Sequence, residues 1–475
     1  MSRERGASKR ASLVLRAGSE ARSVFMSAAL RRSFDSLEVP NYRRYFAGQL
    51  ISLSGTWMQT VAAIWLILTL TGSGVAVGLT TALQFLPMLL FGAWGGVLAD
   101  RIPRRRLLIA TQALMAIPAI GLFVVTATGV VAPWMVFLAV FAMGSVNAID
   151  NPARQSFVFE MVGPDRVVNA VSLNSVIVQM ARIAGPALAG LLIAGFGVVP
   201  CFALNALTFV AMIVALWGMD PRRLHTEPLA PREPGAIRAG LRYVRATPEL
   251  AVPLALMALV GTLGFNFQVV LPLLAKFSFG GDASTYAAMV SAMAVGSIAG
   301  ALVNGAHGRP GPRLIAGGAL AFGVLALLSA AMPALALELG ALTLLGAAAV
   351  TFAATINSSL QLAVEPQMRG RVMALYSVVF LGSTPIGGPL AGWLAQTYDP
   401  RAALLLAAVS GLAAAWAAHI SFSRIRTRAK PSKAQGEPAT ALTPAGSRTA
   451  LWSDRGRGCG GHSPLLSDAP PPPVT

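Results

Sequence analysis

Charge is the first thing in short supply. Asp, Glu, Lys and Arg make up 12% of the 475 residues, while 55% are hydrophobic; the charged share is about half that of an ordinary soluble domain. A water-soluble fold of this length needs charged outer faces, and too few charges are present to cover them, which excludes it. Cysteine is nearly absent. Cys201 and Cys459 stand far apart and match no zinc or redox spacing, which removes a disulfide framework and a metal site of that kind. The polar connectors hold no clustered His/Asp/Glu set and no nucleophile with its base, so enzyme chemistry has no support and neither metal nor cofactor is expected. The phosphate loop G-x-x-x-x-G-K-S/T is missing too, which argues against direct use of ATP. So is a secretory leader: residues 1–41 are basic but lack a short apolar region followed by a cleavage site. The first apolar segment is therefore expected to act as its own uncleaved insertion signal, with Met1 or Met26 as the start.

What is abundant is apolar length. Twelve stretches reach the roughly 20 residues that a helix needs to cross a bilayer: 45–70, 75–98, 107–129, 133–151, 168–195, 198–218, 250–275, 283–305, 314–332, 335–358, 372–397 and 400–422. They are rich in Ala, Leu, Val and Gly without the alternation of a membrane barrel. Backbone groups in lipid must bond within their own segment, so the fold class is an all-α membrane protein of twelve transmembrane helices.

Basic residues outnumber acidic ones 37 to 19, for a net charge of +18. In a soluble chain that would suggest nucleic acid, but position decides otherwise. Eight Lys and Arg precede Asn41 and eight follow Phe422. The connectors Thr71–Gly74, Gly129–Ala132 and Gly195–Val198, with their three counterparts in the second half, hold only Lys276 and Arg401. With Arg182 set aside as intramembrane, the split is 34 to 2. The positive-inside rule then predicts both termini in the cytoplasm and a multi-pass protein of the cytoplasmic (inner) membrane. The expected layout is a basic tail over 1–41, a bundle over 42–218, a cytoplasmic linker over 219–249, a second bundle over 250–422 and a tail over 423–475. Both tails are expected to be disordered, since neither has an apolar period to fold around.

The two sets of six segments repeat one another. GPALAG at Gly185–Gly190 recurs as GGPLAG at Gly387–Gly392, in the fifth segment of each half. Leu107 and Leu314 align at an offset of 207, and the same offset sets Gln59 opposite Asn266. Parallel six-helix repeats belong to transporters that rock around a midplane site.

On these residues the chain resembles the major facilitator superfamily. The superfamily's signature between the second and third helices, roughly G-x-L-x-D-R-x-G-R-R, is met by Gly96, Leu98, Asp100, Arg101, Arg104 and Arg105, with Pro103 where Gly is usual. The fifth-helix signature of its antiporters is partly met by Gly185, Pro186 and Gly190. Residues Asn147–Val162, followed by SLNS and ARIAGP, look like the bacterial branch that includes enterobactin and macrolide exporters. The resemblance implies two six-helix bundles in the major facilitator fold. It also implies a cytoplasmic latch at Gly96, Asp100, Arg101, Arg104 and Arg105, and a helix at Gly185, Pro186 and Gly190 that limits leakage and favours export.

The residues point to where substrate would sit. Arg182 lies deep in the fifth segment, and a charge there usually faces a cavity or a partner. Expected in the cavity with it are Gln59, Asn147, Gln179, Asn266 and Asn357; each amide is equally suited to an interhelical hydrogen bond, and both readings stand. Away from their ends, segments 3, 6, 9 and 12 hold only Gln112 and Asn205 among amides and charges, as lipid-facing helices should. In the first segment Gly48, Ser52, Gly55 and Gln59 form one stripe, turned to a cavity or to a close neighbour. Asp150 is the candidate for proton coupling, against a plain helix-end contact with Arg154. The expected function is a monomeric secondary transporter exporting small amphipathic molecules, drugs or siderophore-like metabolites, by alternating access and proton antiport. An uptake carrier for a nutrient, or a non-transporting receptor or scaffold, are its rivals.

Overall fold

A computed structural model describes residues 34–225, 236–306 and 311–428. Both expected tails lie almost wholly outside the described residues, as do the side chains of Gly96 and Asp100. Among the described residues twelve helices are long and apolar enough to cross a membrane. They are α1 Pro40–Thr71, α2 Gly74–Arg101, α3 Arg104–Ala127, α4 Pro133–Val162, α5 Val167–Phe196 and α6 Val199–Trp217. After the connector come α7 Pro248–Ser278, α8 Ala283–Ala306, α9 Pro312–Ala331, α10 Leu335–Ala363, α11 Arg369–Thr397 and α12 Pro400–Arg428. Each contains one of the apolar stretches almost entire, and no β-strand occurs among the described residues.

Local chemistry sets the ends. Proline occupies the first turn of α1, α4, α6, α7 and α9, where its missing N–H would have had no partner anyway. Gly72 closes α1 at φ +61°, and its N–H returns to the Leu68 carbonyl at 3.0 Å. Ser73 then caps α2 by accepting from the Ala76 N–H at 3.2 Å.

Two helices are interrupted in ways that composition did not signal. In α7 the regular helix stops at Leu263 and resumes at Phe267. Asn266 sits in the gap and donates to the Thr262 carbonyl at 2.8 Å, replacing a bond that the broken ladder gave up. In α11 the break falls at Ser383, two residues before Pro385. The middle connector also holds an unforeseen helix, Ala236–Ala246, whose Val244 is buried and whose Gly240 packs on Arg371 of α11.

Packing follows the duplication. Within the first half α1 packs on α5 and α6, α2 on α4, and α3 on α4 and α6; in the second, α8 packs on α10 and α9 on α10 and α12. Helices α3, α6, α9 and α12 pack within their own halves, and Gln112 and Asn205, the exceptions to their apolar pattern, are both buried against α1. Between halves the main contacts are α2 with α11 and α5 with α8, a crosswise pair that the two-fold repeat relates.

Candidate functional site

A cavity of about 270 Å³ opens among α1, α2, α4 and α5, with Gln268 of α7 reaching it from the other half. On α1 its wall steps through Gln49, Leu53, Thr56, Thr60 and Ala63, intervals of four and three that keep one helix face toward the space. From Gln49 to Ile64 the wall is roughly 22 Å long at the α-helical rise. Gln84 of α2 donates to Thr60 at 3.3 Å across it.

The expected cavity residues divide. Gln59 and Asn147 line the cavity. Gln59 is also an interhelical link, accepting from Asn205 of α6 at 2.6 Å and placing its amide nitrogen 2.8 Å from the Met143 sulfur of α4. Gln179, Arg182, Asn266 and Asn357 are not among its lining residues. Asn266 is buried in the α7 break beside Gly387 of α11, and Asn357 accepts from Gln361 one turn on at 2.5 Å. The stripe Gly48–Ser52–Gly55–Gln59 faces neighbours: a Cβ at Gly48 would lie 2.7 Å from Ala215, and Ser52 donates to Gln112 at 3.1 Å. Thr56, Thr60, Gln84, Asn151 and Asn174 are among the wall polar groups that sequence reasoning left out of the site. Thr56 and Thr60, a turn apart, were a weak signal, because threonine is common in apolar helices.

Beside the cavity floor lies a buried polar network. Asp150 of α4 is fully buried and ion-pairs with Arg154 one turn away on the same face. It also accepts from Thr111 at 2.5 Å and Gln112 at 3.1 Å, both on α3. Arg154, itself part of the cavity wall, donates on to Gln49 of α1. A buried ion pair is tolerable only with such extra hydrogen bonds, and here α1 and α3 supply them.

Arg182 has a different setting. Its guanidinium carbon lies 5.2 Å from the ring centroid of Trp57, a residue of the cavity wall, and its Nε is buried without a hydrogen-bond partner. Gly185 lets α5 come close to α1 there: a Cβ at this position would lie 2.5 Å from Trp57 Cβ. Gly190 does the same toward Ala287 of α8, and Pro186 is buried between them. In the motif after α2, Arg101 is exposed, Arg104 pairs with Glu160 of α4, and Arg105 donates to the Leu216 and Trp217 carbonyls ending α6 at 2.7 and 2.9 Å. These contacts of Arg104 and Arg105 tie helices of the first half together.

Contacts between halves gather at the end of the bundle away from the termini. Ser73 donates to Gln396 at 2.7 Å, Trp65 stacks on Tyr286 with centroids 6.4 Å apart, and Lys276 donates to the Leu68 carbonyl at 3.2 Å. Lys276 thus meets the negative end of the α1 dipole. Below these contacts the backbones nearly touch: a Cβ at Gly78 would lie 2.5 Å from the Gly388 oxygen.

A family profile described as transmembrane secretion effector, within the major facilitator superfamily, matches residues 32–447. The chain belongs to the transmembrane secretion effector family. Over 384 residues the chain is 28% identical to the enterobactin exporter EntS of Salmonella typhimurium, covering 78% of this chain and 89% of that one. It is 24% identical over 265 residues to the staphyloferrin A transporter of Staphylococcus aureus, a match that spans 54% of this chain and 65% of the relative, just under two thirds. In fold it is similar to the nucleoside transporter NupG, with a TM-score of 0.64 at 15% identity over 80% of this chain and 99% of that one. It is also similar to a bacterial homologue of the human lysosomal transporter Spinster in an inward-facing, unoccupied conformation, with a TM-score of 0.63 at 15% identity over 81% and 95%. The chain is therefore a multi-pass membrane protein of this family, similar to proteins named as siderophore transporters and exporters.

Proposed function

We propose that the protein exports small amphipathic molecules, siderophore-like metabolites or drugs, from the cytoplasm across the inner membrane by alternating access. The observation that carries this reading is a cavity lined by helices of the first half and reached by Gln268 of the second, beside halves whose backbones come close through Gly78 and Gly388. The 34-to-2 distribution of Lys and Arg supports placing both termini, and the cavity floor with them, in the cytoplasm. The bundles over 42–218 and 250–422 are the rocking bodies, joined by the linker over 219–249, and the protein works as a monomer.

Proton entry drives export in this reading. Asp150 is the coupling group: a proton on its carboxyl would cancel its charge and free Arg154, which lines the cavity, so proton and substrate act on one network. Gly96, Asp100, Arg101, Arg104 and Arg105 form the cytoplasmic latch, while Gly185, Pro186 and Gly190 keep α5 tight against α1 and α8 to limit leakage. Gln59, Asn147, Gln179, Arg182, Asn266 and Asn357 contact substrate at some stage of the cycle. Everted membrane vesicles carrying the protein should accumulate an amphipathic dye when acidified inside, and a protonophore should abolish the uptake. Accumulation that ignores the proton gradient removes the coupling; none under any gradient removes the export reading.

A further inference from the structure

Two cations border the cavity, and their settings differ. Arg154 is neutralised by Asp150 and bonded to Gln49. For Arg182, no carboxylate lies within the 4.0 Å of an ion pair among the described residues, and its buried Nε bonds to nothing. It lies one turn beyond Val178 and two beyond Asn174 on the same face of α5, and both of those line the cavity. Its guanidinium rests on Trp57, another wall residue. The wall itself contains no Asp or Glu. An ionised arginine at membrane depth is costly without a counter-charge, and the Trp57 ring compensates only part of that cost.

We propose that the missing counter-charge is the substrate's own: the cavity selects amphiphiles bearing an anionic group, carboxylate, sulfonate or an ionised phenol, which Arg182 receives at the Trp57 wall. The inference rests on the cavity being the transport site. Charge-assisted hydrogen bonds from guanidinium to an oxyanion are the strong kind, so an anion should outbind its uncharged analogue here.

A matched pair of probes tests this. 1-Anilinonaphthalene-8-sulfonate and N-phenyl-1-naphthylamine share one ring system and differ by the sulfonate. Binding of each to the full chain in phosphatidylcholine nanodiscs, corrected with empty discs, is measured for wild type, Arg182→Lys, Arg182→Gln and Arg182→Ala. The expected result is saturable sulfonate binding that weakens about tenfold or more in the Gln and Ala variants. The Lys variant should retain most of it, and the uncharged probe should change less than about twofold throughout. Equal weakening of both probes in correctly folded variants makes Arg182 a packing residue and overturns the proposal, as does wild type without saturable sulfonate binding. Failure of the vesicle assay, by contrast, strikes the export reading while leaving probe selectivity intact.

Discussion

At the scale of single residues the Asp150–Arg154 pair concentrates the largest energies. Removing one member of a buried pair strands the other, at roughly 3–5 kcal/mol. Asp150→Ala should therefore lower the melting temperature of the detergent-solubilised protein sharply. Adding Arg154→Gln should recover much of the loss, since no buried cation then remains. Asp150→Asn keeps the shape and an acceptor for Thr111 and Gln112 while deleting the charge and the acceptor for Arg154; export should slow and lose its dependence on the proton gradient at unchanged protein abundance. The network also shows how far single residues were legible. Asp150 stood out in the sequence because carboxylates are rare in these helices, and Arg154 at i+4 followed from helical spacing. Thr111, Gln112 and Gln49 come from two other helices, and no local pattern connects them to α4. Gln59 and Asn205 make the same point, because an isolated amide in an apolar helix looks alike whether it faces a cavity or a neighbour.

At the scale of elements, glycine spacing decides how near two helices approach. Gly78 of α2 lies against Gly388 of α11, where a Cβ would sit 2.5 Å from a carbonyl oxygen. Gly78→Leu should wedge these helices apart and favour the conformation open at that end. Spin labels at Thr71 and Tyr398 should then report a longer distance than in the parent, and an unchanged distance counts against the role given to this contact. The start of α8 offers a pH test. Asp282 lies in the loop before it, and the Ser284 hydroxyl, with the Thr285 and Ser284 N–H groups, holds its carboxylate below the ordinary value of 3.8. A group depressed in the folded state contributes stability that is present above its unfolded value and lost as pH falls through the folded one. Amide exchange at Ser284 and Thr285 should therefore quicken below about pH 4, and Asp282→Asn should remove that dependence. Because the side chain is exposed, the effect should stay within the first turn. The repeated GPALAG and GGPLAG segments were readable as close-packing signals; their partners were not.

At the scale of the whole molecule the halves meet at Ser73 and Gln396, and that contact can be locked. Ser73→Cys with Gln396→Cys, placed where the native side chains are 2.7 Å apart, should form a disulfide on oxidation. Transport should then stop and return with reductant, and oxidised protein that transports at the parent rate would deny this contact any part in the cycle. Twelve spans follow from the chain's own pattern, because in lipid each segment must satisfy its backbone internally and length is set by bilayer thickness; most limits agree within a few residues, while α4 continues past 151 to Val162. The internal duplication and the excess of basic residues on one side are equally local properties. Tertiary structure alone decides which helices line the cavity, that Gln59 serves α6 as well as the cavity, and that Lys276 and Arg401, two exceptions to the charge pattern, cap the Leu68 and Met332 carbonyls. Among helices that are apolar all round, a face is defined by the partner that packs on it, and partners distant in sequence leave no periodic mark.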